Sequence, residues 1–267
     1  MEKKFISIEK QVSEVRVKIT SGNLKVMRSP GGSFKLFFEE IEPDVRIDGN
    51  ALIIDAKKIE SGIFGLIGFS SSSSEQLELH IPMDLASIFV NSVSADVQVS
   101  SVNAEKCMFR TVSGEIILEN CRSQNVEVKS VSADVVLSAV DVERLVISNA
   151  SGDVIVNKLE CREYDWLLNT VSGDVELNVV GLPNMRLILK SASGELTSNV
   201  GYSRHGNEYV FGDGRMRIIV STVSGDVRVK VMSKRERVEE IERRILRLVA
   251  EGKLSYEEAK RMLEELS

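Results

Sequence analysis

Seven acidic residues recur at one position of a repeated hexapeptide: Asp96, Glu115, Asp134, Asp153, Asp174, Glu195 and Asp226. A carboxylate in every repeat could line a stripe of cation sites, with calcium the natural ion for hard oxygen ligands. Neighbouring charges at strand spacing repel by ~0.9 kcal/mol in bulk water. A charge-assisted bond from each carboxylate to backbone N–H groups of its own turn is worth ~1.5–3 kcal/mol. That gain exceeds the repulsion, and the glycine-rich nonapeptide of calcium-binding coils is absent. No metal and no cofactor are expected. The other groups with chemical potential are sparse. Cys107, Cys121 and Cys161 are odd in number and too widely spaced for a zinc site or a disulfide framework. His80 and His205 are the only histidines and are far apart. No catalytic residues are assigned, and a non-enzyme is expected.

The hexapeptide that positions the acids is SVSADV at 92–97 and 130–135, TVSGEI at 111–116, NASGDV at 149–154, TVSGDV at 170–175 and 222–227, and SASGEL at 191–196. The third-position serines are 19, 19, 19, 21, 21 and 31 residues apart. Six residues before them stand Ile88, Cys107, Val126, Leu145, Trp166, Leu187 and Ile218. Three residues after them stand Val97, Ile116, Val135, Val154, Val175, Leu196 and Val227. The apolar columns four before and five after complete a strand-like period of two. Each unit therefore reads as a strand, a tight turn and a second strand. Nineteen residues leave no room for a crossover helix of ordinary length. Coiling the chain so that each unit lies on the last makes every column a buried stripe. The predicted fold is all-β, a parallel β-solenoid with ~19-residue rungs. Cys107 and Trp166 fall in inward columns and read as core.

Ser21, with Val15, Val17, Leu24 and Val26 around it, reads as an eighth unit. The rest of 1–86 is less regular and reads as rungs or a cap that protects the exposed sheet edge. Two excursions interrupt the pattern. The segment 61–74, SGIFGLIGFSSSSS, presents Ile63, Phe64, Leu66, Ile67 and Phe69 on a flexible Gly/Ser background. It is a candidate for a membrane interface or a partner groove. The segment 198–215 carries Tyr202, His205, Tyr209 and Phe211, a candidate binding patch or a hairpin covering the flank. Beyond the solenoid domain, 1–232, helical periodicity begins. Ile241, Ile245 and Leu248 share one helix face, Gly252 ends it, and a second helix carries Met262 and Leu263. The expected helical hairpin over 233–267 has too little core to stand alone, so it caps the coil, self-associates or docks a partner.

The net charge of −6 argues against nucleic-acid binding. The tail holds nine basic and nine acidic residues, so the excess belongs to the solenoid. No apolar run spans a bilayer and no signal-peptide core opens the chain, which points to the cytoplasm. The TVSGDV copies, the Gly212–Gly214 GDG and the AEGKLSYEEAKRMLEEL tail together resemble a bacterial putative-adhesin β-solenoid family of unknown function, the LiaX and YvlB type, with a SHOCT-like helical element. The resemblance implies envelope-associated binding or a stress role, and no catalytic residues. The expected function is that of a non-enzymatic scaffold that binds a protein or itself through its solenoid faces and tail, with peripheral membrane contact as a further use. The alternative is a polysaccharide-binding or polysaccharide-cleaving β-helix.

Overall fold

The computed structural model describes residues 3–29, 31–39, 42–56 and 76–232, together with 245, 246, 249, 255–257, 260 and 261. The chain divides into Met1–Lys230 and Val231–Ser267. In the second unit Ile245 is buried and Leu246 exposed. Residues 245, 246, 249, 256, 257, 260 and 261 are helical, and the remainder of the expected helical hairpin lies outside the described residues.

The first unit is the coil that the repeat predicts. Strands before the motif pair in parallel as one stack, as in Cys107 with Val126 and Leu145 with Trp166. Strands after the motif form a second parallel stack, as in Ile116 with Val135 and Val154. Every inward column is buried: Ile88, Val126, Leu145, Trp166, Leu187 and Ile218 are each at most 3% exposed. Trp166 is fully buried, and its indole N–H donates to the Val142 carbonyl at 2.9 Å, which satisfies its one donor. At the corner after the second strand, Ser101, Asn120, Ala139 and Lys158 take left-handed backbone, one in each of four successive rungs.

The stacking order departs from chain order at both ends. The Ser21 rung pairs along its whole length with the Ser94 rung, Ser21 opposite Ser94. The outermost rung comes later in the chain, as Ala51–Ala56 and Gln76–Ile81, and packs on the far side of Glu14–Arg28. At the other end Met216–Thr222 inserts between Asp165–Asn169 and Met185–Ser191. The rung of Ser224 therefore lies between those of Ser172 and Ser193. The expectation that each unit lies on the one before it holds for the central rungs only. The reason is edge protection. The chain runs to the end of the stack, pairs the outer strand with antiparallel segments, and returns to an inner slot. Asp44–Asp48 covers Ala51–Ala56, while Phe34–Phe38 and then Lys4–Ile8 cover Gln76–Ile81. Glu208–Phe211 and Ser203–His205 cover Met185–Ser191.

Candidate binding surfaces

The motif side chains are used by the turns themselves. The first position closes the turn. Thr170 Oγ1 accepts from the Gly173 amide at 3.1 Å, and Thr222 Oγ1 from the Gly225 amide at 2.9 Å. The serine hydroxyls of Ser94, Ser132, Ser151 and Ser193 donate to a carbonyl of the adjoining rung at 3.2–3.4 Å. The acids also reach across rungs rather than within their own turn, which corrects the expectation. The Glu115 amide donates to Asp96 Oδ1 at 2.8 Å, Asp153 to Asp134 at 2.8 Å, Asp174 to Asp153 at 2.8 Å, Asp226 to Asp174 at 2.9 Å, and Glu195 to Asp226 at 3.0 Å. Stacked turns bring the carboxylates of Asp96, Asp134, Asp153, Asp174 and Asp226 over an adjoining rung's N–H, where a charge-assisted bond offsets the repulsion. Among the described residues no cluster of three or more His, Cys, Asp or Glu is placed to hold a metal ion.

The thiols are packed groups. Cys107 and Cys121 are buried and Cys161 half-buried, all three free. Burial pushes the Cys107 thiol up to about 12 and raises Cys121 and Cys161 as well. His80 contacts Glu78 at 2.6 Å and packs on Phe37.

The segment 198–215 forms the end-covering hairpin. Tyr209 and Phe211 turn into the core at 5% and 0% exposed, whereas Tyr202 lies exposed over both at ring distances of 5.4 Å. Only Tyr202 of that trio offers an accessible ring. Ile63, Phe64, Leu66, Ile67 and Phe69 lie outside the described residues. The ends of their segment are placed, however. Ala56 pairs with Ile19 and Gln76 with Asn23. Ile241, Leu248, Met262 and Leu263 also lie outside the described residues.

Two surface features were missed from the sequence. Val93, Val112, Val131, Val171 and Val223, the second motif position, form an apolar row along the turn edge, each 50–54% exposed. The outward positions of the first strand stack make the other feature. One outward row reads Arg16, Phe89, Met108, Glu127, Val146, Leu167, Ile219 and Ile188 in register. Basic residues flank it on both sides, with Lys106 and Arg144 on one and Lys18, Arg110 and Lys129 on the other. Around Phe89 this surface dips into a hollow of about 370 Å³ lined by Arg16, Lys18, Arg46, Met108 and Arg110. The Arg16 guanidinium and the Lys106 ammonium each lie 5.9 Å from the Phe89 ring centre. The alignment that reveals the core columns also holds these outward columns, three, five and seven residues before each serine, so a signal for them was present.

The structure therefore defines a parallel β-solenoid, end-covered by antiparallel strands, with one cationic, apolar-striped face. The chain belongs to the Toastrack DUF4097 family, whose model matches residues 6–166. A SHOCT-like domain matches residues 242–267, in agreement with the resemblance of the tail. Comparison with curated proteins finds no match. Among solved structures, a putative adhesin from Parabacteroides distasonis is 14% identical, covering 86% of this chain and 96% of its own, with a TM-score of 0.45. A putative adhesin from Bacteroides fragilis is 12% identical over 86% and 97% at 0.45. A putative lipid binding protein from Parabacteroides distasonis is 13% identical over 87% and 96% at 0.43.

Proposed function

We propose that this chain is a non-enzymatic binding scaffold of the adhesin type, in which a rigid coil displays flat surfaces for a protein partner or a further copy. The observation that carries this reading is the outward row centred on Phe89 and Met108 with its basic flanks. Apolar area ringed by polar and charged groups is the composition of an interaction patch. The Cys107 thiol is packed in the core, and the motif aspartates and Ser94, Ser132, Ser151 and Ser193 are engaged in bonds between turns, which agrees with a structural rather than a chemical use. The SHOCT-like tail adds a second attachment point, and the apolar sequence Ile63 to Phe69 suits peripheral membrane contact as a further one. Envelope association fits this arrangement. No helix among the described residues is long and apolar enough to cross a membrane.

The test is affinity capture from native cells with the full chain and with the K106E/R110E variant. Loss of a specific partner on charge reversal supports the reading. An unchanged set of captured proteins, or cleavage of an acidic polysaccharide by the purified chain, refutes it.

A further inference from the structure

The two sheet faces of the same five rungs carry opposite charge. In the rungs from Ser21 to Ser151, the outward positions before the motif hold six cations, Arg16, Lys18, Lys106, Arg110, Lys129 and Arg144, against two acids, Glu14 and Glu127. The outward positions after the motif hold five acids, Asp96, Glu115, Glu119, Asp134 and Asp153, against one cation, Lys25. Fifteen positions on each side thus differ from neutrality by four charges, in opposite directions. Each face also has aliphatic or aromatic side chains along its midline. On the cationic face these are Phe89, Met108 and Val146, and on the acidic face Ile117, Val136 and Ile155, all half-buried in the free chain.

From this we infer that the cationic face docks on the acidic face of a second copy of this chain. The inference rests on the scaffold reading and names its partner. Charge complementarity is one argument. Pitch is the other: both faces are built from the same rungs, so their charged positions are spaced by multiples of the same ~4.8 Å and opposite charges come into register. Such a contact is heterologous. It propagates head to tail rather than closing as a two-fold dimer. Five rungs by five strand residues give a plate of roughly 400 Å² a side, about half of what each partner contributes to a standard stable interface. The association is accordingly weak and is strengthened at low ionic strength.

Sedimentation velocity of the full chain, over a concentration series at low and at high salt, tests this. The expected result is concentration-dependent, open-ended association at low salt that weakens at least tenfold at high salt. The K106E/R110E variant cancels the excess charge of the first face, where six cations and two acids become four and four. The E115K/E119K variant does the same for the second face, where five acids and one cation become three and three, and neither of its side chains caps an adjoining rung's amide. Each variant alone should sediment as a monomer, and an equimolar mixture should associate again. Circular dichroism of each variant confirms that the coil is intact. A wild-type chain that stays monomeric at low salt overturns the inference, as does association that survives either charge reversal or a mixture that fails to associate. Should the wild type stay monomeric but co-sediment with vesicles of anionic phospholipid, the cationic face serves a lipid surface and the second-copy partner is refuted. A monomeric chain that still captures a protein through Lys106 and Arg110 refutes this inference and leaves the scaffold reading standing.

Discussion

Gly173→Ala separates two reasons for a glycine in the motif turn. Gly22, Gly114 and Gly152 have φ of 104°, 101° and 109°, and a side chain there is strained by conformation alone. Gly173, Gly194 and Gly225 are not in that region, yet a Cβ on Gly173 would lie 1.9 Å from the Gly152 carbonyl oxygen. Ordinary contact needs ~3.4 Å, so the two turns must part by more than an ångström. Among the bonds that tie them, two stand nearest the glycine: the Asp174 amide to Asp153 Oδ1 at 2.8 Å and the Ser172 amide to the Ala150 carbonyl at 3.1 Å. Both stretch beyond bonding distance. Losing one charge-assisted and one neutral bond costs about 3 kcal/mol. In a domain of this size that lowers Tm by about 9 °C. Gly181 is the control. Its φ is +81° but nothing lies within 4 Å of a Cβ, so Gly181→Ala costs only about 1 kcal/mol. Urea and thermal unfolding of both variants are the assay. If Gly173→Ala is no more destabilising than Gly181→Ala, the claim that rung-to-rung contact selects glycine at 173 is refuted.

Three further outcomes are expected. Val128→Asp places an unpaired carboxylate in a fully buried column and should abolish the cooperative unfolding transition, by a cost of several kcal/mol; a melting curve like that of the wild type would contradict the column assignment. With a thiol reagent near neutral pH, Cys161 should react first in the native chain and Cys107 only on unfolding, since its thiol is pushed up to about 12 by burial; mass mapping of the labelled peptides decides. Burial raises the Glu78 carboxyl, but hydrogen bonds with His80 and Lys3 outweigh it and hold the pKa below the usual carboxylate range. Its contribution is therefore present above about pH 4.3 and lost as pH falls through the lowered value. The stability gap between wild type and Glu78→Gln should narrow on acidification, as followed by urea unfolding across that range.

Much of the coil is legible in the amino-acid sequence. The columns at Ile88, Val126 and Leu145 and the turns at each serine follow from period and spacing, because a repeat shorter than a βαβ unit has few ways to bury its apolar side chains. The segment 198–215 admits two readings, a binding patch or an end-covering hairpin, and the buried Tyr209 and Phe211 decide for the hairpin. The cationic face is present in the aligned repeats at Lys106, Arg110 and Arg144 but carries no motif, because outward positions obey no common apolar rule and show a pattern only when lined up rung by rung.

The amino-acid order alone determined that the backbone coils, where it turns and which side chains face inward, since these depend on local period and on contacts between neighbouring units. Only the tertiary structure decided that Ser224 stacks before Ser193, that the rung of Ala51–Ala56 lies outside that of Ser21, and that the motif aspartates serve an adjoining turn's amide. Those choices are made at the edges and across rungs, where unpaired strands compete for partners that lie far away along the chain.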